Sequence, residues 1–216
     1  MFRHSRFAVA TIAIAVCAAT LVGCGGTDTA PDEGAGASTQ VDTTAAPAQL
    51  SWETYRGVRL PRSLVDGPTR YEAVPTGYSR TPQGAVIAAI RGQAYLALTP
   101  DDQWGAMVAT VTAPGVGRDE FAGNRALVSV TGDVPADRAP KFVAFKVTAY
   151  RPDANPPTAA VEVVQQLGAS AAELFAYPVA LVWIGDWRLV LPTAAENIDA
   201  YPIPGLDGYT ALEDKK

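Results

Sequence analysis

Apolar and polar positions divide this chain into stretches with different periods. Residues 7–22 form one run of 16 uncharged, mostly apolar positions behind Arg3 and Arg6. Residues 25–50 are small or polar, rich in Gly, Ala, Thr and Asp, with no Lys, Arg or aromatic side chain. Aromatic residues return at Trp52 and Tyr55, but 51–80 is broken by Leu60-Pro61, Gly67-Pro68, Pro75 and Gly77 and reads as an irregular arm. Thr81-Pro82 then opens a helix, with Thr81 as cap and Pro82 in the first turn. That helix, Pro82–Leu98, is apolar almost all round with Arg91 as its one charge, so it belongs inside the domain.

Thr99-Pro100-Asp101-Asp102 ends the first helix and caps a second, in which Trp104, Met107, Val108 and Val111 share a face. Ala113-Pro114-Gly115 stops it. Residues 118–130 are ambiguous, a helical turn and then an extended or helical run. From Lys141 the period is two, with Val143, Phe145, Val147 and Ala149 on one face of a strand and Lys146 and Thr148 on the other. Residues 158–167 give a second strand, with Val161 and Val163 opposite Glu162. Residues 174–184 and 187–191 form a hairpin over Gly185-Asp186, a pair suited to a two-residue primed turn. That register sets Trp183 opposite Arg188 and predicts that the two stack across the strands. No internal repeat is present.

The first apolar run is short of the roughly 20 residues that a permanent spanning helix needs, and suits a cleaved signal. It ends in Leu21-Val22-Gly23-Cys24, which resembles a bacterial lipobox. The resemblance implies cleavage before Cys24, whose sulfur carries diacylglycerol, and a protein held on the outer face of the cell membrane. Two or more acyl chains make such anchoring stable. The expected organisation is a lipoprotein signal peptide over 1–23, a lipidated, disordered tether over 24–50, and a single domain over 51–216. As a coil, the 26 residues of 25–50 would span roughly 28 Å.

Cleavage changes the chemistry available. The full chain carries 17 basic and 22 acidic residues, one histidine and two cysteines. Beyond residue 23 the basic count falls to 15, the net charge becomes −7, and His4 and Cys17 are gone. The exported chain then has no imidazole, no free thiol and no disulfide, so its stability rests on the hydrophobic core. The acidic balance argues against nucleic acid as a partner.

Hydrolytic triads lack their base, and Gly77-Tyr78-Ser79-Arg80-Thr81 lacks the second glycine of a nucleophile elbow, leaving Ser79 as a polar loop residue before a capped helix. A zinc site has only carboxylates to draw on. Asp101-Asp102 and Asp119-Glu120 stand at expected helix starts, where negative charge complements the dipole. Gly115-Val116-Gly117 is a loop, since Glu120 stands where a dinucleotide fingerprint needs glycine. Neither metal nor cofactor is expected. Tyr95, Trp104, Phe145, Trp183 and Trp187 could line an apolar pocket, and core packing accounts for the same residues.

Helices followed by about four antiparallel strands make an α+β fold. With its closing Trp183-Ile184-Gly185-Asp186-Trp187-Arg188-Leu189 hairpin, this order resembles the cystatin or nuclear-transport-factor-2-like cone, in which N-terminal helices pack on a curved, mostly antiparallel sheet. The segment Gly77-Tyr78-Ser79-Arg80-Thr81-Pro82-Gln83-Gly84-Ala85, with Trp52, Gly57, Leu60-Pro61 and Gly67-Pro68 before it, is similar to a family of uncharacterised actinobacterial exported proteins associated with conjugative-element gene clusters. The resemblance covers about 52–191 and brings no catalytic residue. It implies a non-catalytic envelope protein that contacts other proteins of a conjugation or secretion assembly. The alternative is an extracytoplasmic carrier or sensor for a small apolar ligand, and a carboxylate-based enzyme is third. An open apolar cavity of several hundred Å³ between helix and sheet would mark the carrier, and a filled interior the interaction domain.

Overall fold

The computed structural model describes residues 41–167 and 173–213. The expected signal peptide, Cys24 and the expected tether as far as residue 40 lie outside the described residues. A compact unit runs from Gln40 to Lys216. Residues 41–50, which the sequence places in the tether, are already bonded to it: Gln83 Nε2 donates to Asp42 O at 2.9 Å, and Ala48 N donates to Asp66 Oδ2 at 3.1 Å.

Two strands, β1 (Leu50–Tyr55) and β2 (Val58–Ser63), pair as an antiparallel hairpin. Three helices follow, α1 (Pro82–Leu98), α2 (Trp104–Val111) and α3 (Val116–Arg125). Then come β3 (Lys141–Arg151), β4 (Thr158–Gln166), β5 (Leu174–Trp183), β6 (Trp187–Val190), β7 (Tyr201–Ile203) and β8 (Thr210–Ala211). The second sheet runs β6-β5-β4-β3-β8, with β7 on the same edge of β5 as β6, farther from the turn. Helix α1 packs on the hairpin on one side and on this sheet on the other, so three layers share one core.

This overturns the expected cone of N-terminal helices on about four strands. Among the described residues there are three helices and eight strands in two antiparallel sheets, one of six strands, and the chain begins with a hairpin where an arm was expected. Three local causes account for the difference. First, Leu60-Pro61 reads as a breaker, but in a two-stranded ribbon Pro61 needs no second neighbour and pairs with Trp52. Arg56 and Gly57 both take positive φ, 50° and 84°, giving the primed turn that joins the strands. Second, β7 and β8 span three and two residues, too few for a period to show. Third, register shifts flank Val143 and Thr148 in β3. Phe142 and Phe145 are therefore both buried although an unbroken strand would put them on opposite faces, while Val143 and Val147 are only half-buried.

Helix α1 forms as its sequence dictates. The Thr81 hydroxyl accepts from Gly84 N at 3.0 Å, and Pro82 occupies the first turn, where its missing N–H costs nothing. Val86, Ile87 and Ile90 are fully buried, each such side chain contributing about 1.5–3 kcal/mol. The helix lies so close to β6 that a Cβ on Gly92 would sit 2.4 Å from Leu189 Cδ1. In α2, Met107, Val108 and Val111 are buried as expected, but the cap is Gln103, without a side-chain bond.

The hairpin of β5 and β6 also departs from its expected register. Trp183 pairs with Trp187 and Val182 with Arg188, over a three-residue loop. The Asp186 carboxylate is drawn away from the turn, accepting from Gly77 N at 2.6 Å, Tyr78 N at 3.2 Å and Trp187 N at 2.9 Å. Trp183 therefore meets Trp187 edge to face at 5.3 Å, and Arg188 reaches Ala109 O at 3.0 Å instead of stacking on Trp183.

Candidate functional site

The polar clusters of the described residues are spent on holding the fold. Asp66 is buried and takes hydroxyl bonds from Ser79 at 2.9 Å and Thr81 at 3.1 Å, fixing the start of α1. Ser79 donates to this carboxylate and its carbonyl accepts from Trp187 Nε1 at 2.9 Å, so it serves as a loop brace. Asp101 accepts from Ser129 Oγ at 2.7 Å, Arg125 NH2 at 2.8 Å and Val130 N at 3.1 Å, which holds its pKa down at about 2. Asp119 lies in the first turn of α3, and Glu120 Oε2 accepts from Ala194 N at 2.8 Å. Among the described residues no group of three His, Cys, Asp or Glu side chains could hold a metal ion.

One buried charge had no assigned role. Arg91, 1% exposed on α1, donates through Nε to Tyr95 Oη at 3.1 Å, through one terminal nitrogen to Pro61 O at 3.1 Å, and through the other to Glu53 and Tyr95. Burial opposes its charge, but the Tyr95 and Tyr78 phenols and the Glu53 carboxylate outweigh that and raise its pKa. The knot joins the hairpin to α1. Its signal in sequence is the lone charge of an apolar helix, but nothing there reveals Glu53 and Pro61 as its partners.

The five aromatic residues expected around a pocket do not line one together. Tyr95, Phe145 and Trp187 are buried in the core, and Trp104 and Trp183 pack half-buried against it. Tyr95 meets Tyr55 edge to face at 4.9 Å, Trp104 lies under the Arg125 guanidinium at 5.6 Å, and Trp187 contacts Trp183 and Tyr150. Between α1, α2 and β6, the gap beside Trp187 measures about 10 Å³, room for a water molecule at most.

A larger open space lies between the hairpin and the start of β3. The β1–β2 turn is pinned there by Val134 N to Arg56 O at 2.9 Å, Arg56 NH2 to Gly132 O at 2.9 Å, and the Arg56–Asp133 ion pair at 3.2 Å. Gly57 is required at this contact, since a Cβ would lie 2.2 Å from Val134 O. Behind the pinned turn, residues 135–140 lead into β3, and Leu212 N donates to Val143 O at 2.8 Å. These contacts frame a groove of about 480 Å³. Buried Phe142 and Leu212 form its floor, Trp52, Ala136 and Pro140 its walls, and Arg59 and Lys141 its rim. The Arg59 guanidinium lies over the Trp52 ring at 5.6 Å. Trp52 enters the sequence analysis as a boundary marker and in the family resemblance, and Phe142 does not enter it, since unbroken alternation in β3 would set it opposite Phe145.

The family described as a domain of unknown function (DUF8175) matches residues 23–211. No curated protein and no solved structure matches the chain.

Proposed function

The chain belongs to the DUF8175 family, and on that premise we propose that it is a non-catalytic, lipid-anchored envelope protein. Acylated at Cys24 and held on the outer face of the cell membrane, it uses the groove between hairpin and β3 to grip an extended segment of another envelope protein. The segment carries apolar side chains for Phe142, Leu212 and Trp52 and carboxylates for Arg59 and Lys141. The observation that carries this reading is the groove itself, apolar inside and edged by two cations on a chain whose net charge is −5. The close packing of α1 on β6, with a gap of about 10 Å³, also favours an interaction domain over a carrier. A partner in a conjugation or secretion assembly rests on the sequence resemblance alone, since the cone no longer supports it. A second reading, a small apolar ligand, draws on the volume of about 480 Å³, which lies within the range of ligand pockets.

A photo-crosslinking residue placed at Ala136 in native membranes tests the proposal. The expected result is one discrete protein adduct whose cross-linked segment is apolar and acidic, and which disappears in Arg59→Glu/Lys141→Glu. An adduct indifferent to the charge reversal overturns the docking mode, and adducts with small molecules alone favour the carrier. Anchoring is tested separately by Cys24→Ala, which should abolish processing and release the protein from the membrane fraction.

A further inference from the structure

At the end of the hairpin away from the groove, the loop after β2 turns tightly. Ser63 N donates to Gly67 O at 2.9 Å, and Gly67 N donates back to Ser63 O at 3.0 Å. Asp66 is tucked beneath, 4% exposed, and its backbone N–H donates to Ser63 Oγ at 2.8 Å. Leu64 and Val65 are thereby thrust outward, 65% and 54% exposed. A braced loop that presents two aliphatic side chains to water gains nothing for the fold by doing so. Around it stand Tyr71, half exposed under the Arg62 guanidinium at 5.6 Å, and Arg70, whose side chain is 60% exposed although it bonds Thr76 and approaches Asp186. Glu72 is the exposed carboxylate of the same segment.

The chain also passes this loop on its way into the body. Ala48 N donates to Asp66 Oδ2 at 3.1 Å, and Ser63 Oγ donates to Ala48 O. The described chain first meets the body at Asp42 to Ala45, whose carbonyls accept from Gln83 and Thr210, and then passes beside Leu64 and Val65. The 18 residue steps from Cys24 to Asp42 span at most about 60 Å, so an anchor at Cys24 keeps the body near the membrane surface.

We propose that the 63–67 loop is a second membrane contact, in which Leu64 and Val65 enter the head-group region of an anionic bilayer while Tyr71, Arg62 and Arg70 lie at its surface. Aliphatic tips flanked by tyrosine and arginine suit that boundary, where the ring is amphipathic and the guanidinium meets phosphate. The convex loop offers no concavity for a small ligand. The groove opens toward the other end of the hairpin, its Arg59 about 13 Å along the strand from Ser63, so a loop set on the bilayer leaves that end free for a partner. The proposal rests on lipid anchoring for its proximity argument, and the test is made without the lipid so that the two can fail separately.

The test uses the mature chain with Cys24→Ser, floated with vesicles of phosphatidylcholine alone or with phosphatidylglycerol. The expected result is co-flotation with the anionic vesicles that falls about tenfold in Leu64→Ser/Val65→Ser while the thermal melt is unchanged. Arg70→Gln, which leaves the apolar tip intact, should reduce the preference for phosphatidylglycerol. Absence of binding to either vesicle, or binding indifferent to the serine substitutions, overturns the proposal. Loop-dependent cross-linking to a protein, with no flotation, overturns it in favour of a protein partner.

Discussion

Helix α1 is gripped on two sides by different physics. Toward the six-stranded sheet its neighbours are mostly apolar, with Leu189 and Trp187 of β6 buried against it and a neutral contact at the edge, Gln165 Nε2 donating to Gln93 Oε1 at 3.4 Å. Toward the hairpin it offers Arg91, whose guanidinium is divided among Glu53, Pro61 O and Tyr95. Dispersion and burial favour any well-filled arrangement, whereas a buried cation tolerates only geometry that satisfies its donors. The sheet side supplies bulk stability, and the hairpin side supplies position. A ribbon of two strands buries too little to be stable alone, so its placement depends on such a device. The groove inherits that dependence, because Trp52 and Arg59 stand on the same two strands as Glu53 and Pro61.

Arg91→Ala should separate the two sides most sharply. It leaves the Pro61 carbonyl and the Glu53 carboxylate without their cation and opens a void beside Tyr95, for an expected loss of about 3–5 kcal/mol in urea unfolding. Hydrogen exchange should show the β1–β2 amides losing protection ahead of β4 and β5. Uniform loss across the sheet would mean that the two sides form one cooperative unit. Gly92→Ala attacks the apolar side. Its Cβ would stand 2.4 Å from Leu189 Cδ1, the end of a side chain already 97% buried, so about 1–3 kcal/mol is expected. Adding Leu189→Ala should recover part of this loss. If it did not, the backbone spacing of α1 over β6 rather than the leucine would be the constraint.

The same division explains what could be read in the sequence. Thr81, Pro82 and the apolar run behind them specify α1 to the residue, because a cap and a period are local properties. Arg91 is visible as an oddity, but its partners lie 30 and 38 residues away and carry no local mark. The hairpin is concealed by Leu60-Pro61 and Gly57, which announce a break in a central strand and are harmless in a ribbon. The turn at Gly185-Asp186 has the composition of a two-residue loop and becomes longer because Asp186 is captured by Gly77 and Tyr78, more than 100 residues earlier. The groove was out of reach for a similar reason. Trp52, Phe142 and Leu212 come from three distant segments, and a bulge that leaves no residue signature turns Phe142 inward.

Tyr95 carries the smallest effect and sharpens the comparison by pH. Its hydroxyl accepts from Arg91 Nε at 3.1 Å, while its ring packs on Tyr55, so Tyr95→Phe removes the polar half of the contact and keeps the apolar half. Near pH 7 this should cost about 1 kcal/mol. Burial raises the phenol to about 12, the Arg91 charge pulling the other way. Below the ordinary tyrosine value of about 10 both folded and unfolded chains keep the proton, and the contribution is complete. Between about 10 and 12 the unfolded chain ionises first, so stability falls as pH rises and is spent once the folded pKa is passed. Tyr78 is also raised by burial and contributes in the same direction, so the informative quantity is the difference between wild type and Tyr95→Phe. That difference should shrink between pH 10 and 12, followed by unfolding and by tyrosinate absorbance. A gap that stayed constant through this window would show that the Tyr95 hydroxyl does not titrate there, and no gap even at pH 7 would show that Tyr95 holds the hairpin by its ring alone, leaving Glu53 and Pro61 as the working partners of Arg91.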